Sequence, residues 1–236
     1  MKILALETSA VTASVAVAED ELLLAQSFQN SGLTHSATLM PMTADLLKNT
    51  GISMEEIDVI AVAAGPGSFT GIRIGVAAAK GLAWPGDKLC APCSTLESMA
   101  WQCAHLDGEI CAVMDARRKQ VYNARFSAEN GVITRLSEDR AIGLEELTEE
   151  VKKSGKTQIL VGDGAALCYN AFEAAGIPVR MMPPHLRYQT AWGVARAALE
   201  LARQGKLIPA GQMAPQYHRL SQAERERMER MKQTEK

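Results

Sequence analysis

The sequence predicts an α/β protein of two similar lobes, each a mixed sheet in which a three-strand antiparallel meander is followed by alternating helices and strands. Three observations predict it. The order of strand-like and helix-like runs in the first half starts again in the second. The first run of each half ends on an acidic residue, Glu7 after Ile3-Leu4-Ala5-Leu6 and Asp115 after Cys111-Ala112-Val113-Met114. The first three runs of each half are joined by connections short enough for hairpins.

In chain order, Lys2 to Glu7, Ala13 to Ala18 and Glu21 to Phe28 are apolar runs of strand length. Leu33 to Asn49 has helical spacing, with Leu33, Ala37, Met40, Ala44 and Leu47 on one side and Leu39, Met42 and Leu46 beside it. Pro41 falls inside this run, so the helix either starts near it or is kinked there. Asp58 to Ala64 is almost continuously apolar, the pattern of a strand buried on both faces. A glycine-rich turn, Gly65 to Gly71, leads into a small-residue helix from Ile72 to about Trp84, then a short segment at Lys88 to Ala91 and a helix at Thr95 to His105. The second half runs Ile110 to Asp115, Gln120 to Ser127 and Val132 to Glu138 as strands, a helix near Leu144 to Lys153, a strand at Gln158 to Val161 and a helix from Ala165 to Ala175. Ala191 to Arg203 is a further helix, Pro209 to Arg219 is irregular, and Ser221 to Lys236 is a charged tail with Glu226 and Arg230 at i,i+4 spacing. The expected units are residues 1–106, 107–220 and a helical or disordered tail, 221–236.

This duplicated layout resembles the actin-like, ribonuclease H-like fold of ATPases and sugar kinases, in which two lobes clasp a nucleotide. Composition fits such a domain pair: of 236 residues 47% are apolar and 22% charged, ordinary values for a globular chain. Lys plus Arg number 25 and Asp plus Glu 27, a net charge of -2, which argues against a dedicated nucleic-acid binder but not against a partner that holds nucleic acid. The longest apolar stretch, Ile72 to Trp84, is broken by Arg73 and Lys80 and falls short of the roughly 18 residues of a membrane span. Met1 to Ser9 lacks the pattern of a signal peptide, so a cytoplasmic location with five reduced cysteines is expected.

Within the glycine-rich turn, Gly65 and Gly67 permit close backbone approach, and Ser68 or Thr70 can cap the helix that follows. Either the turn presents helix amides to an anion, or it is a tight strand-to-helix turn that binds nothing. It does not fit a P-loop, a dinucleotide fingerprint or a nucleophile elbow. In that helix Gly71, Gly75 and Ala79 leave one nearly smooth face, for packing on its own sheet or for a subunit interface to which Met40 and Met42 could contribute. Arg117 and Arg118 follow Asp115 where a second phosphate loop would carry glycine, and form an anion contact or a solvated turn. Gly162-Asp163-Gly164 sits between a strand and a helix, where actin-like folds touch a nucleoside. Cys90-Ala91-Pro92-Cys93 has CxxC spacing, compatible with zinc or redox chemistry but lacking the usual second pair or thioredoxin-like setting. His35, His105, His185 and His218 are scattered, so no helical metal-ligand pair exists and no metal site is expected.

A more specific resemblance rests on the block Ala64 to Gly75, together with Lys2 to Ser9, His35-Ser36, Met114-Asp115-Ala116-Arg117, Val121-Tyr122 and Pro215-Gln216-Tyr217-His218-Arg219. These residues resemble the TsaB (YeaZ) family, from the first strand to about Leu220. The resemblance implies a subunit of the bacterial machinery that makes threonylcarbamoyladenosine (t6A) in tRNA. In that machinery the paralogue TsaD is catalytic and holds the metal, TsaE is a small ATPase, and a TsaC-type enzyme supplies the adenylate. The resemblance further implies a platform that dimerises with TsaD and activates it, with no catalytic residue and no required cofactor, ATP or ADP and metal being bound by partner subunits; without the partner, the same apolar surface could self-associate as a homodimer. Its pairing surface would map to His35, Leu39, Met42, Leu46, Phe69, Arg73, Val76 and Ala79. A vestigial nucleotide site would map to Glu7, Thr8, Ser9, Asp115, Gly162 and Gly164. The rival expectations are an ATP-dependent kinase or ATPase using Glu7 and Asp115, and a protease.

Overall fold

In the computed structural model, which describes residues 1–218, the first apolar runs pair as their short connections require. Strands β1 (Lys2–Glu7), β2 (Ala13–Glu19) and β3 (Leu22–Gln29) form an antiparallel meander. Helix α1 (His35–Thr50) then crosses the sheet and returns the chain to β4 (Val59–Gly65), which lies parallel to β1. Helix α2 (Phe69–Ala83) leads to β5 (Leu89–Ser94), parallel to β4, and α3 (Thr95–Gln102) leaves the sheet.

The second half repeats this order. Strands β6 (Gly108–Asp115), β7 (Gln120–Glu129) and β8 (Val132–Arg135) form the meander, and β9 (Arg140–Gly143) pairs with the other end of β7. Helix α4 (Leu144–Ser154), β10 (Gln158–Val161), α5 (Ala165–Ala174) and β11 (Val179–Met181) follow, with β10 parallel to both β6 and β11. The strand orders β3-β2-β1-β4-β5 and β8-β7-β6-β10-β11 correspond strand for strand, and this is the actin-like duplication. After α6 (Pro184–Arg187), helix α7 (Ala191–Arg203) and β12 (Ile208–Pro209) return to the first sheet, where β12 pairs with β5. The expected tail, with Glu226 and Arg230, lies outside the described residues.

The central strands β1, β2, β4, β6 and β10 are buried on both faces. Leu4, Leu6, Val15, Val17, Ile60 and Val62 pack under α1 and α2, while Ile3, Ala5, Ala16, Ala61 and Ala63 pack under α7. In the second sheet Ile110 and Ala112 meet α3, and Cys111, Val113 and Leu160 meet α4 and α5. Helices α3 and α7 join the halves. They approach so closely that a side chain at Gly193 would run into the Ser98 carbonyl. A partly buried ionic cluster ties the second lobe together, Arg125 bridging Glu109 and Glu150 at 2.9 Å each while Arg140 also reaches Glu150.

Several elements differ from expectation. Helix α1 starts well before Pro41 and runs through it, which rules out a start at the proline and keeps the expected span. Helix α2 begins at Phe69 rather than Ile72, because Ser68 caps it by accepting the Gly71 N–H. Strand β5 is longer than the predicted segment and contains both Cys90 and Cys93. Strands β9, β11 and β12 and helix α6 are two to four residues long, too short to show a period.

The small-residue face of α2 packs on its own chain. A methyl group at Gly71 would strike the Thr8 carbonyl, and one at Gly75 the Thr8 hydroxyl, whereas one at Gly81 meets nothing. In thermal denaturation, Gly71→Ala and Gly75→Ala should destabilise by about 1–3 kcal/mol through overpacking. Gly81→Ala, in the same helix, should stabilise by roughly 0.5–1 kcal/mol from helix propensity alone.

Candidate functional site

Strand β1 ends at Glu7, and the turn after it is small and polar, Thr8-Ser9-Ala10-Val11-Thr12. Those residue types let the turn fold in against α2. Thr8 Oγ1 donates to the Gly71 carbonyl at 2.8 Å, and the Ser68 amide donates to the Ser9 carbonyl at 2.6 Å. The Ser9 amide in turn donates to Glu7 Oε1 at 2.5 Å. Thr12 Oγ1 reaches across to the Gln189 carbonyl at 3.1 Å. Glu7, Thr8, Ser9 and Thr12 are all fully buried.

At the equivalent end of β6 the outcome differs. Asp115 is exposed, and its Oδ1 accepts the Arg117 amide at 2.7 Å. Gly162 and Gly164 lie so close to the Val113 carbonyl and the Met114 backbone that neither position has room for a side chain, which accounts for both glycines without a ligand. Asp163, between them, accepts a hydrogen bond from Gln189 Nε2 at 2.8 Å.

The acid acting on Glu7 is therefore Asp163 rather than Asp115. Burial pushes Glu7 up to about 7, opposed by the hydrogen bond from the Ser9 amide and reinforced by the Asp163 charge. Burial also raises Asp163, opposed by Gln189 and reinforced by Asp115. Glu7 Oε2, Ser9 Oγ and Gln189 Oε1 are buried and have no hydrogen-bond partner among the described residues. Of the expected site residues, Glu7, Thr8 and Ser9 come together and Gly162 and Gly164 flank the acid beside them, while Asp115 stays at the edge. Asp163 and Gln189 were missed. A carboxylate between two glycines was a visible signal for the first, whereas Gln189 lies in an irregular stretch that offers none.

The expected pairing surface needs correction. Leu39, Met42, Leu46, Val76 and Ala79 are buried in the chain's own core, under 7% exposed, because these positions face the first sheet. His35 is half-buried, its Nε2 donating to the Ala10 carbonyl at 2.7 Å. Phe69 and Arg73 do lie at the surface side of α2. There Tyr217 stacks on Phe69 at 4.1 Å between ring centres, and Arg73 Nε donates to the Tyr217 hydroxyl at 2.8 Å. The outward side of the helix pair carries Ala37, Met40 and Ala44 from α1 with Thr70, Arg73 and Ala77 from α2. Cys90 and Cys93 point to opposite faces of β5, into different cores, and burial raises both thiols, so they do not form a shared metal or disulfide site.

Against this geometry, the chain is 34% identical over 167 residues to the tRNA threonylcarbamoyladenosine biosynthesis protein TsaB of Bacillus subtilis, covering 71% of this chain and 73% of the relative. The chain belongs to the TsaB (YeaZ) family. It is 29% identical to Escherichia coli TsaB over 93% of its own length and 95% of the relative's. Its fold matches YeaZ from Pseudomonas aeruginosa with a TM-score of 0.78 at 25% identity, over 92% of this chain and 99% of that one. A family model described as TsaD, tRNA N6-adenosine threonylcarbamoyltransferase, matches residues 29–226, so this TsaB-family chain also belongs to that wider family. Among the described residues no helix is long and apolar enough to cross a membrane.

The buried Glu7 gives stability a definite pH dependence. Its folded value, about 7, lies above the unfolded value near 4.5, so the folded state binds the extra proton and stability falls as pH rises between the two. The full loss, roughly 3 kcal/mol, is reached above pH 7. Glu7→Gln, which mimics the protonated acid, should be the more stable form at pH 8 and should flatten this slope in urea titrations from pH 5 to 8.

Proposed function

We propose that this chain is a non-catalytic platform subunit in bacterial t6A synthesis, acting in the cytoplasm by pairing with the catalytic paralogue TsaD and activating it. Family membership supports the pathway, since the relatives are named for t6A biosynthesis and the matching family model for the threonylcarbamoyl transferase. The observation that carries the non-catalytic reading is the sealed Glu7. A carboxylate that positions an attacking water must reach solvent or substrate, and this one is fully buried with Ser9 folded over it. The kinase or ATPase rival places Glu7 and Asp115 around one phosphate, yet one is enclosed and the other lies at an exposed edge. The protease rival has no support in the surroundings of Ser68, whose hydroxyl caps α2. On this reading the chain needs no cofactor of its own; nucleotide and metal belong to TsaD and TsaE, the TsaC-type enzyme delivers the adenylate, and tRNA is held by the complex.

The outward side of α1 and α2 is the pairing surface in this reading. Met40 is 44% exposed there, flanked by small residues that let another helix pair approach. The same side would support a homodimer in the absence of TsaD.

In a reconstituted reaction, with t6A measured by mass spectrometry of digested tRNA, omitting the chain should stop product formation. The double variant Glu7→Gln, Asp115→Ala should restore it. Met40→Arg and Ala77→Arg, at exposed positions, should leave the fold intact while reducing co-elution with TsaD and t6A yield at least about tenfold. Loss of activity in the acid variant while it still binds TsaD would assign chemistry to this chain. Unchanged co-elution of both arginine variants would move the interface elsewhere.

A further inference from the structure

The turn between β6 and β7 holds a feature that the platform role does not use. Arg117, Arg118 and Lys119 are three consecutive residues in the left-handed region, at φ of 62°, 54° and 57°. All three are exposed, and none forms an ion pair among the described residues. Left-handed backbone is unfavourable for residues with a Cβ, and glycine or asparagine would fit it better. Strain retained at successive positions points to a use for the side chains it displays.

The turn is also held in shape. The Ala116 amide donates to the Gln120 carbonyl at 3.0 Å, the Gln120 amide to the Arg117 carbonyl at 3.1 Å and the Leu144 amide to the Lys119 carbonyl at 3.1 Å. Asp115 sits at its base and is engaged with the Arg117 amide. Glu145 and Glu146, exposed in the first turn of α4, are the neighbouring acids, and neither forms an ion pair with the three cations among the described residues. A fixed turn displaying three unpaired cations matches the repeating charge of a nucleic-acid backbone, which is bound by such groups without reading sequence.

We propose that the 117–119 turn is a contact for the phosphodiester backbone of RNA, in this setting the tRNA brought to the complex. The identity of the RNA rests on the t6A reading above, whereas the contact itself does not. The chain's net charge of -2 makes the contact local, an anchor that adds to what a partner holds.

The test compares the wild type with a triple glycine variant, Arg117→Gly, Arg118→Gly and Lys119→Gly, which removes the charge and suits the backbone. Binding of fluorescent tRNA to the isolated chain and to its complex with TsaD is followed by anisotropy from 25 to 200 mM salt. The variant should melt no lower than the wild type, yet bind tRNA at least about tenfold more weakly at low salt. The slope of log affinity against log salt should shrink by up to ~0.9 for each phosphate that the variant leaves unneutralised. A charge-preserving variant, Arg117→Lys with Arg118→Lys, should keep most of the affinity. Equal affinity and slope for wild type and glycine variant would overturn the proposal. So would competition by submillimolar ATP or inorganic phosphate that depends on the same residues, since the turn would then be a mononucleotide site. If t6A synthesis proved independent of this chain while tRNA binding still depended on the turn, the platform reading would fail and the contact would stand.

Discussion

The contact on which the arrangement depends is the meeting of two backbones, the Thr8-Ser9 turn and the start of α2. It exists because Gly67, Gly71 and Gly75 present no side chain on that side, so the Ser9 carbonyl, the Thr8 carbonyl and the Thr8 hydroxyl sit where a Cβ would otherwise be. Three consequences follow from that single closeness. Thr8 and Ser9 become fully buried, Glu7 is shut in with a raised proton affinity, and α2 is fixed along the line Ile72, Val76 and Ala79, leaving Arg73 and Ala77 outward. The C-terminal segment reinforces the same place. The Gln216 amide donates to the Ala64 carbonyl at 2.7 Å, Gly65 has no room for a side chain beneath Gln216, and Tyr217 stacks on Phe69.

That constraint explains what could and could not be read from the sequence. The long elements were legible because Leu4, Leu6, Val15 and Val17, or Ile60 and Val62, sit in runs of unmistakable length and apolarity. The duplication was legible from element order and from the acids closing β1 and β6, although the two halves share almost no residues. The phase of α1 was not. Its apolar residues occupy two adjacent stripes, and periodicity alone does not say which stripe faces the sheet. The structure turns Leu39, Met42 and Leu46 inward and leaves Ala37, Met40 and Ala44 outside. The same ambiguity made a core line look like a contact surface.

The glycines show a different limit. Gly65 to Gly75 and Gly162 to Gly164 have the look of ligand-binding loops, since close backbone approach to a phosphate and close approach to another peptide place the same demand on a residue. Only three dimensions separate the two uses. Here the approaching groups are the chain's own Thr8, Ser9, Gln216 and Val113. The buried acid pair was half legible for a related reason. Glu7 was marked by its place at a strand end, but its electrostatic neighbour Asp163 arrives from a distant turn in the other half of the chain, and Gln189 from an irregular segment whose position depends on α7 docking against the first sheet.

The two hairpin turns that the duplication makes equivalent have opposite fates, and their side chains decide which. Thr8 and Ser9 are small enough to enter the groove beside α2, where the Thr8 hydroxyl donates to the Gly71 carbonyl and the Ser9 amide to Glu7, so the base of the first turn is buried with most of its polar groups paired. Arg117, Arg118 and Lys119 could follow only by stripping water from three charges that form no ion pair among the described residues, a penalty of several kcal/mol per ion. The second turn therefore stays in solvent and takes an unfavourable backbone shape to close its hairpin without glycine. One topology, used twice, thus yields a turn whose base is sealed against α2 in one lobe and an open cationic turn in the other. The difference lies in a few turn residues rather than in the sheets that carry them.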